Sequence, residues 1–262
     1  MVMTIDNYTD ANGYTADSFA FPYNPLVYDV QMTNFVDPRN YAYAFTYFGA
    51  TSSIKSRQDG VITGHMSGTN KNTNFRSLAA HFNSNKIKRL FFGTDKFMIM
   101  IPQTIKRTFA GGRTNFIDYV ATFSSPFGLL FDNTQQSGAY NSALTNAGNV
   151  ATPIEKITGS VTSGQQVTIA DKDGNGFTFT ANASGTMTMY LVTMLNLGSD
   201  IYITNYLYVL VGTTPQVVKS ANTNKSQMIQ VASGQSIATL FTAGTITNIT
   251  PTFYWRSGWS AD

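Results

Sequence analysis

Asp171-Lys172-Asp173-Gly174-Asn175-Gly176 is the run whose spacing comes nearest to a ligand set. Oxygen-bearing side chains at positions 1, 3 and 5 and a glycine at position 6 open an EF-hand calcium loop. Position 12 of such a loop supplies a bidentate carboxylate, and here it is Asn182, which has none. Residues 167–170 and 177–180 on either side alternate as strands do, and Asp-Gly and Asn-Gly pairs turn hairpins. A structural turn is the expected reading, with Asp171, Asp173 and Asn175 as the calcium candidates. No other metal and no cofactor is expected.

Other chemistry has few parts to draw on. The chain has no cysteine, which excludes disulfides, thiolate nucleophiles, zinc knuckles and iron–sulfur ligation. With two histidines, His65 and His81, a three-His metal site is impossible, and a Ser-His-Asp triad would have to use one of them. His65 follows Gly64 in a strand pattern, and His81 falls on a helix pattern opposite its apolar stripe. Neither accompanies a G-x-S-x-G nucleophile elbow. Glycoside hydrolysis needs two carboxylates, one of them raised in pKa by an apolar cleft. The sequence offers a single glutamate, Glu155, and thirteen aspartates, five of them beside Gly, Asn or Pro in turn-like settings. The expectation is a protein that is not an enzyme.

The composition explains what such a chain is built for. Hydrophobic residues make up 42% of the 262, enough for a core, whereas charged residues make up only 12%, about half the usual share. Surface polarity must come from Thr, Ser, Asn and Gln, a β-rich composition. No basic segment followed by an apolar run opens the chain, and no apolar stretch approaches the roughly 18–20 residues that span a bilayer. The expectation is folding in the cytoplasm without membrane insertion. Residues 1–134 hold twelve Lys/Arg against nine Asp, whereas residues 135–262 balance five against five. So small a basic excess predicts a solvated or subunit-facing surface in preference to nucleic-acid recognition.

These residues are carried by two modules. Residues 1–25, closing on Phe21-Pro22-Tyr23-Asn24-Pro25, read as an arm or edge segment. Strand patterns follow at 26–32, 41–48, 61–66, 89–92, 97–101, 103–109 and 115–123, the second an aromatic ladder of Tyr41, Tyr43, Phe45 and Tyr47. One helix interrupts them at 72–83, with Phe75, Leu78, Ala79 and Phe82 on one stripe, Asn72 or Thr73 as N-cap and Asn85 as stop. Gly60, Gly64 and Gly68 precede it, suggesting a small barrel or split sandwich plugged by the helix. Ala110-Gly111-Gly112-Arg113 turns a long hairpin. The first module is placed at 1–134 and a polar linker at 135–152. A second module, 153–262, follows with strands at 154–158, 166–170, 176–180, 186–196, 201–211, 227–232, 236–241 and 246–255. Such spacing is that of a jelly-roll-like β-sandwich. The fold class is therefore all-β with one short helix.

In the 201–211 strand, Tyr202, Thr204, Tyr206, Tyr208 and Leu210 share one face, and Ile201, Ile203, Leu207, Val209 and Val211 share the other with Asn205. The aliphatic face must be core. Tyr202, Tyr206 and Tyr208 form either a platform for a glycan or partner, or a face covered by the next strand pair. Trp255 and Trp259 admit the same two readings.

The order of features in the first module resembles the distal tail protein family of siphophages. A Pro-containing arm and strands precede Ser56-Arg57-Gln58-Asp59-Gly60-Val61-Ile62-Thr63-Gly64, and the helix follows. After it come Lys88-Arg89-Leu90-Phe91-Phe92-Gly93-Thr94-Asp95-Lys96, the hairpin, and Asp118-Tyr119-Val120-Ala121-Thr122-Phe123 leading to Ser125-Pro126-Phe127. Asn146-Ala147-Gly148-Asn149 and Pro153-Ile154-Glu155-Lys156-Ile157-Thr158-Gly159 are similar to the opening of the family's C-terminal sandwich. The likeness covers roughly residues 20–180; the Met- and Tyr-rich strands beyond depart from it.

The resemblance implies a structural protein of the virion, a homo-hexameric ring in the baseplate at the tail tip. Its partners would be the tail tube protein and the tip, fibre or receptor-binding proteins, with host glycan a further partner of the outer module in host attachment. Arg57, Asp59, Lys106, Arg107 and Arg113 are the subunit-interface candidates. DNA must slide through the ring without specific binding, and a lumen lined by cations would trap its phosphates. Lys86, Lys88, Arg89, Lys106, Arg107 and Arg113 are therefore expected to face neighbours or the outside. A carbohydrate-binding, adhesin-like module and a tail-tube or connector subunit are the alternatives.

Overall fold

A computed structural model describes residues 3–9, 13–20, 27–32, 58–83, 88–108, 116–125, 129–191 and 207–260. The first module begins with β1 (Met3–Thr9), β2 (Gly13–Ala20), β3 (Val27–Met32) and β4 (Gln58–Ser67), followed by helix α1 (Lys71–Phe82). It continues with β5 (Lys88–Phe92), β6 (Lys96–Thr108), β7 (Phe116–Ser125) and β8 (Leu129–Asp132). Then come β9 (Gln136–Ala139), β10 (Thr152–Val161), β11 (Gln166–Ala170), β12 (Gly176–Thr180), β13 (Gly185–Leu191) and β14 (Leu207–Val211). The chain ends with β15 (Thr214–Pro215), β16 (Lys219–Ser220), β17 (Gln230–Val231), helix α2 (Ile237–Phe241), β18 (Thr245–Thr247), β19 (Thr252–Trp255) and β20 (Gly258–Ser260). The protein is all-β with one helix of more than a turn or two, and its sheets are antiparallel. The Tyr41–Tyr47 ladder, the Ala110–Arg113 turn and Asn85 lie outside the described residues.

In the first module the strands follow the path β2-β1-β5-β6-β7-β4-β3, with β8 on β6. Strand β6 belongs to two sheets. Residues 96–100 pair with β5, and residues 101–108 pair with β7, with a register shift between Pro102 and Thr104. Proline has no N–H to give a ladder, so it suits the point where a strand leaves one partner for another. Among the described residues the result is a split sandwich whose sheets stay open, and no barrel closes.

Between β4 and β7 three of four facing pairs set a small residue against a large one. Gly60 lies opposite Phe123, Ile62 opposite Ala121, Gly64 opposite Tyr119 and Met66 opposite Ile117. A Cβ on Gly60 would stand 2.2 Å from the Phe123 ring, and one on Gly64 would stand 2.4 Å from the Tyr119 hydroxyl. The aromatic rings thus fill the space the glycines leave. Burial also pushes the Tyr119 phenol up to about 12. Gly60→Ala and Gly64→Ala are each expected to destabilise the fold by about 1–3 kcal/mol through overpacking, read as a lowered urea midpoint at unchanged slope.

Helix α1 covers this pairing, burying Leu78, His81 and Phe82. Asn70, not Asn72 or Thr73, is its N-cap, and it makes no side-chain capping bond. His81, expected to point away from the apolar stripe, is only 6% exposed. It lies three residues after Leu78 and beside Phe82, so the buried stripe is wide enough to take it in.

The sheet formed by β5, the first half of β6 and β8 is buried on both faces. Leu90, Met98 and Met100 join the core under the helix. Phe91, Phe97, Ile99, Leu129 and Phe131 join the core of the second module. This explains the unbroken apolar runs around residues 90–92 and 97–101, since a strand covered on both sides has no polar face. It also corrects the expectation for Lys88 and Arg89, which are 1% and 0% exposed and do not face outward. The Arg89 guanidinium lies 4.8 Å from the Phe91 ring centroid and 5.2 Å from that of Phe97, the stacking that lets arginine be buried.

The second module is a sandwich. One sheet runs β15-β14-β13-β10-β19-β9, with β17 on β10, and the other runs β16-β12-β11-β18. Val167, Ile169, Phe177 and Phe179 from the second sheet meet Ile157, Met187, Met189, Val209, Val211 and Phe253 from the first in one core. Three local expectations change. The stretch taken as linker contributes β9, paired along its length with β19. Residues 236–241 form a helix, because Ile237, Leu240 and Phe241 share a helical face and Ser236 caps it, its Oγ accepting from the Thr239 N–H at 3.1 Å. The 246–255 strand divides into β18 and β19, which lie in different sheets, with Asn248 at φ 59° between them. Among the described residues no helix is long and apolar enough to cross a membrane.

Candidate functional site

A polar cluster brings together segments more than a hundred residues apart. Glu155, on β10, meets Arg256, just after β19, with Arg256 Nε 3.3 Å from Glu155 Oε1 and both side chains nearly buried. Gln135 donates its amide to Glu155 Oε2 at 2.8 Å. Arg256 also donates to the carbonyls of Asp132, at 3.2 Å, and Asn133, both at the end of β8. Its guanidinium lies 5.3 Å from the Phe97 ring centroid. Burial pushes the Glu155 carboxyl above the usual range, opposed by Arg256, the Gln135 bond and Lys156.

Beyond Arg256 the chain enters the first module's sheet. Strand β20 pairs with β8, setting Gly258 opposite Phe131, Trp259 opposite Leu130 and Ser260 opposite Leu129. The Trp259 indole N–H donates to Asp132 Oδ1 at 2.7 Å, and Lys96 Nζ lies 3.7 Å from the Trp259 ring centroid. Trp259 is thus partly covered, and Trp255 is wholly buried; neither forms an open aromatic face.

Asn146 fastens this return. Its side chain, 0% exposed, donates to the carbonyls of Val150 at 2.7 Å and Val231 at 3.0 Å. Its Oδ1 accepts from the N–H groups of Gly148 at 2.9 Å and Gly258 at 3.2 Å. Four backbone groups from three segments are satisfied by one amide, the full capacity of that side chain in this setting.

The Asp171 loop is a hairpin turn between β11 and β12. Asp171 Oδ1 accepts from the backbone N–H of Asp173 at 2.9 Å and of Asn175 at 2.8 Å, and Oδ2 accepts from the Asn175 amide at 3.1 Å. Burial is the main cause that pushes the Asp171 carboxyl above its usual range. Asp173 instead points to Lys172, whose Nζ lies 3.0 Å from Oδ1, and Asn182 is bonded to Gln216 across the sandwich. Of the three calcium candidates, Asp171 and Asn175 bond to each other and Asp173 to Lys172, and among the described residues no three His, Asp or Glu side chains cluster as a metal site would need.

Of the interface candidates, Lys106 and Arg107 are exposed on the second half of β6. Arg107 also seats the helix: it donates to Asn72 Oδ1 at 2.8 Å, and its guanidinium lies 5.0 Å from the Phe75 ring centroid. Asp59 is on β4, its backbone opposite Gln31 of β3 and Ser124 of β7. Arg57 and Arg113 lie outside the described residues, as does Lys86. So do Tyr202 and Tyr206; Tyr208 is on β14, opposite Tyr190. Val209 and Val211 are buried there, as the alternation predicts. His65, the other histidine, stands edge-on to Phe116 at 6.4 Å between ring centroids.

Sequence reasoning missed Asn146, Asp132, Lys96 and Arg256. One signal was present: Glu155 is the only glutamate in the chain, and a lone glutamate in a core strand needs a cation. Nothing in the spacing pointed to Arg256, a hundred residues away.

Together these features define an antiparallel β protein of three sheets with a polar seam, in which no assembled catalytic group stands out among the described residues. A scan against protein-family models and a search of curated proteins both find no match. Among solved structures, the chain is similar to the SPP1 Dit (gp 19.1) protein, described as a paradigm of the hub adsorption apparatus in phages infecting Gram-positive bacteria. The two share 11% identity at a TM-score of 0.40, covering 98% of this chain and 99% of that one. It is also similar to a chain of the phage P2 baseplate in its activated conformation with Ca, at 8% identity and a TM-score of 0.47, covering 100% and 98%. A further similarity is to a chain of the phage p2 baseplate activated with Sr, at 9% identity and a TM-score of 0.45, covering 97% of each.

Proposed function

We propose that the chain is a non-enzymatic structural protein of a phage tail tip, a distal tail protein whose first module docks onto copies of itself in a six-membered ring. One observation carries this reading. The stretches of the first module whose order resembles the distal tail family, within β4 to β7, lie in one open array, and β2 and β3 are its end strands among the described residues. An open array of this length exposes unpaired backbone groups at each end. A head-to-tail contact between unlike ends satisfies them all when the rotation closes. Lys106 and Arg107 on the exposed half of β6, with Arg57, Asp59 and Arg113, are the proposed contact residues.

In this arrangement the ring joins the tail tube protein to tip, fibre or receptor-binding proteins, and DNA passes without specific binding. The second module faces outward, with Tyr202, Tyr206 and Tyr208 offered to a partner or a host glycan. Gold-labelled antibody against the chain on intact particles of the virus that encodes it tests the placement. Label confined to the distal end of the tail is expected. Label along the tail would make the chain a tube subunit, label at the head–tail junction a connector, and no label on virions would sink the reading.

A further inference from the structure

We propose that residues 256–260 are a closing strap that completes the first module, so that a self-docking surface forms only on chains whose second module is finished. The docking half of this statement rests on the tail-tip reading; the strap itself is a property of the single chain. Strand β8 has two neighbours, β6 on one side and β20 on the other. Without β20 its outer edge is bare, and the Phe97 ring loses the cover of the Arg256 guanidinium. The strap is held at several points: Arg256 on two carbonyls that end β8, Trp259 between Asp132 and Lys96, and Ser260 N–H on Asn149 Oδ1 at 2.8 Å. Its path is also specified sterically, because a Cβ on Gly148 would stand 1.8 Å from the Gly258 carbonyl oxygen.

The order of synthesis gives this geometry a consequence. Contacts between residues so far apart close late, and a chain made from its N-terminus presents β8 uncovered until residues 256–260 have emerged and folded back. An unfolded second module then leaves β8 uncovered beside the first half of β6, the strand whose second half carries the proposed contact residues Lys106 and Arg107.

Hydrogen exchange on the intact chain, Trp259→Ala and Trp259→Phe tests the strap. In Trp259→Ala, amides of β8 and of the first half of β6 are expected to exchange about tenfold faster or more, with β11 and β12 unchanged. The mass in solution should fall to that of one chain at concentrations where the native chain is assembled. Trp259→Phe keeps a ring but loses the N–H bonded to Asp132, so a smaller acceleration confined to residues 129–132 is expected. Unchanged exchange at β8, or equal acceleration across β11 and β12, would overturn the proposal. If Trp259→Ala does not accumulate as folded protein, Trp259→Phe decides by the same criteria. A native chain that is itself monomeric would defeat the ring reading, while the exchange pattern would still decide the strap.

Discussion

Asn146→Ala is expected to lower the free energy of unfolding by about 3–5 kcal/mol, among the largest effects of any single substitution in the protein. The wild-type amide satisfies two carbonyls and two N–H groups in a site with no exposed surface. Truncation leaves those four groups without their partner, and each buried backbone group so stranded costs about 1–3 kcal/mol before relaxation. Asn146→Asp should not rescue, because a carboxylate cannot donate to the carbonyls of Val150 and Val231. Urea unfolding followed by tryptophan fluorescence measures the effect directly, since Trp255 and Trp259 sit at either side of the residues Asn146 ties together. A loss below about 1 kcal/mol would show that water replaces the amide and that the return of the chain is held elsewhere.

Glu155→Ala is expected to cost about 3–5 kcal/mol, because it leaves the Arg256 guanidinium nearly buried without its counter-charge. Replacing both partners, Glu155→Met with Arg256→Met, should cost far less than either single change, since the desolvation of two charges disappears with their attraction. The site also has a definite pH dependence. Burial raises the Glu155 carboxyl above the ordinary value of 4.5 that it regains on unfolding. The folded chain therefore binds the proton more tightly, and this site's contribution to stability falls as pH rises through the window between those two values. Below 4.5 and above the raised value it is flat. Subtracting the stability profile of Glu155→Gln from that of the native chain should isolate this slope; a difference of opposite sign would mean that the attraction of Arg256 outweighs burial.

Much of the fold was legible because periodicity records which face is buried. The patterns at 61–66, 89–92, 166–170 and 176–180 lie within observed strands, and the Phe75–Phe82 stripe lies within helix α1. What was illegible followed from packing between distant segments. Lys88 and Arg89 read as surface charges, yet the second module covers the outer face of their strand and the helix core covers the inner. Residues 236–241 are short and apolar enough to be taken for a strand, although Ser236 followed by apolar residues at 237, 240 and 241 fits a capped helix. The polar stretch at 135–152 looked like a linker because its composition is that of loops, whereas β9 and Asn146 are fixed by partners near residues 230 and 255. The candidate site divides in the same way. Asp171 was legible as a turn, since its chemistry is local, and the Glu155–Arg256–Trp259 seam was not, since no sequence window contains it.

The claim that the first module works by docking onto copies of itself is tested most directly by the mass of the purified chain in solution, measured by light scattering across a range of concentrations. The account predicts a species of six chains of 28.7 kDa. A single-chain mass at every concentration would contradict it.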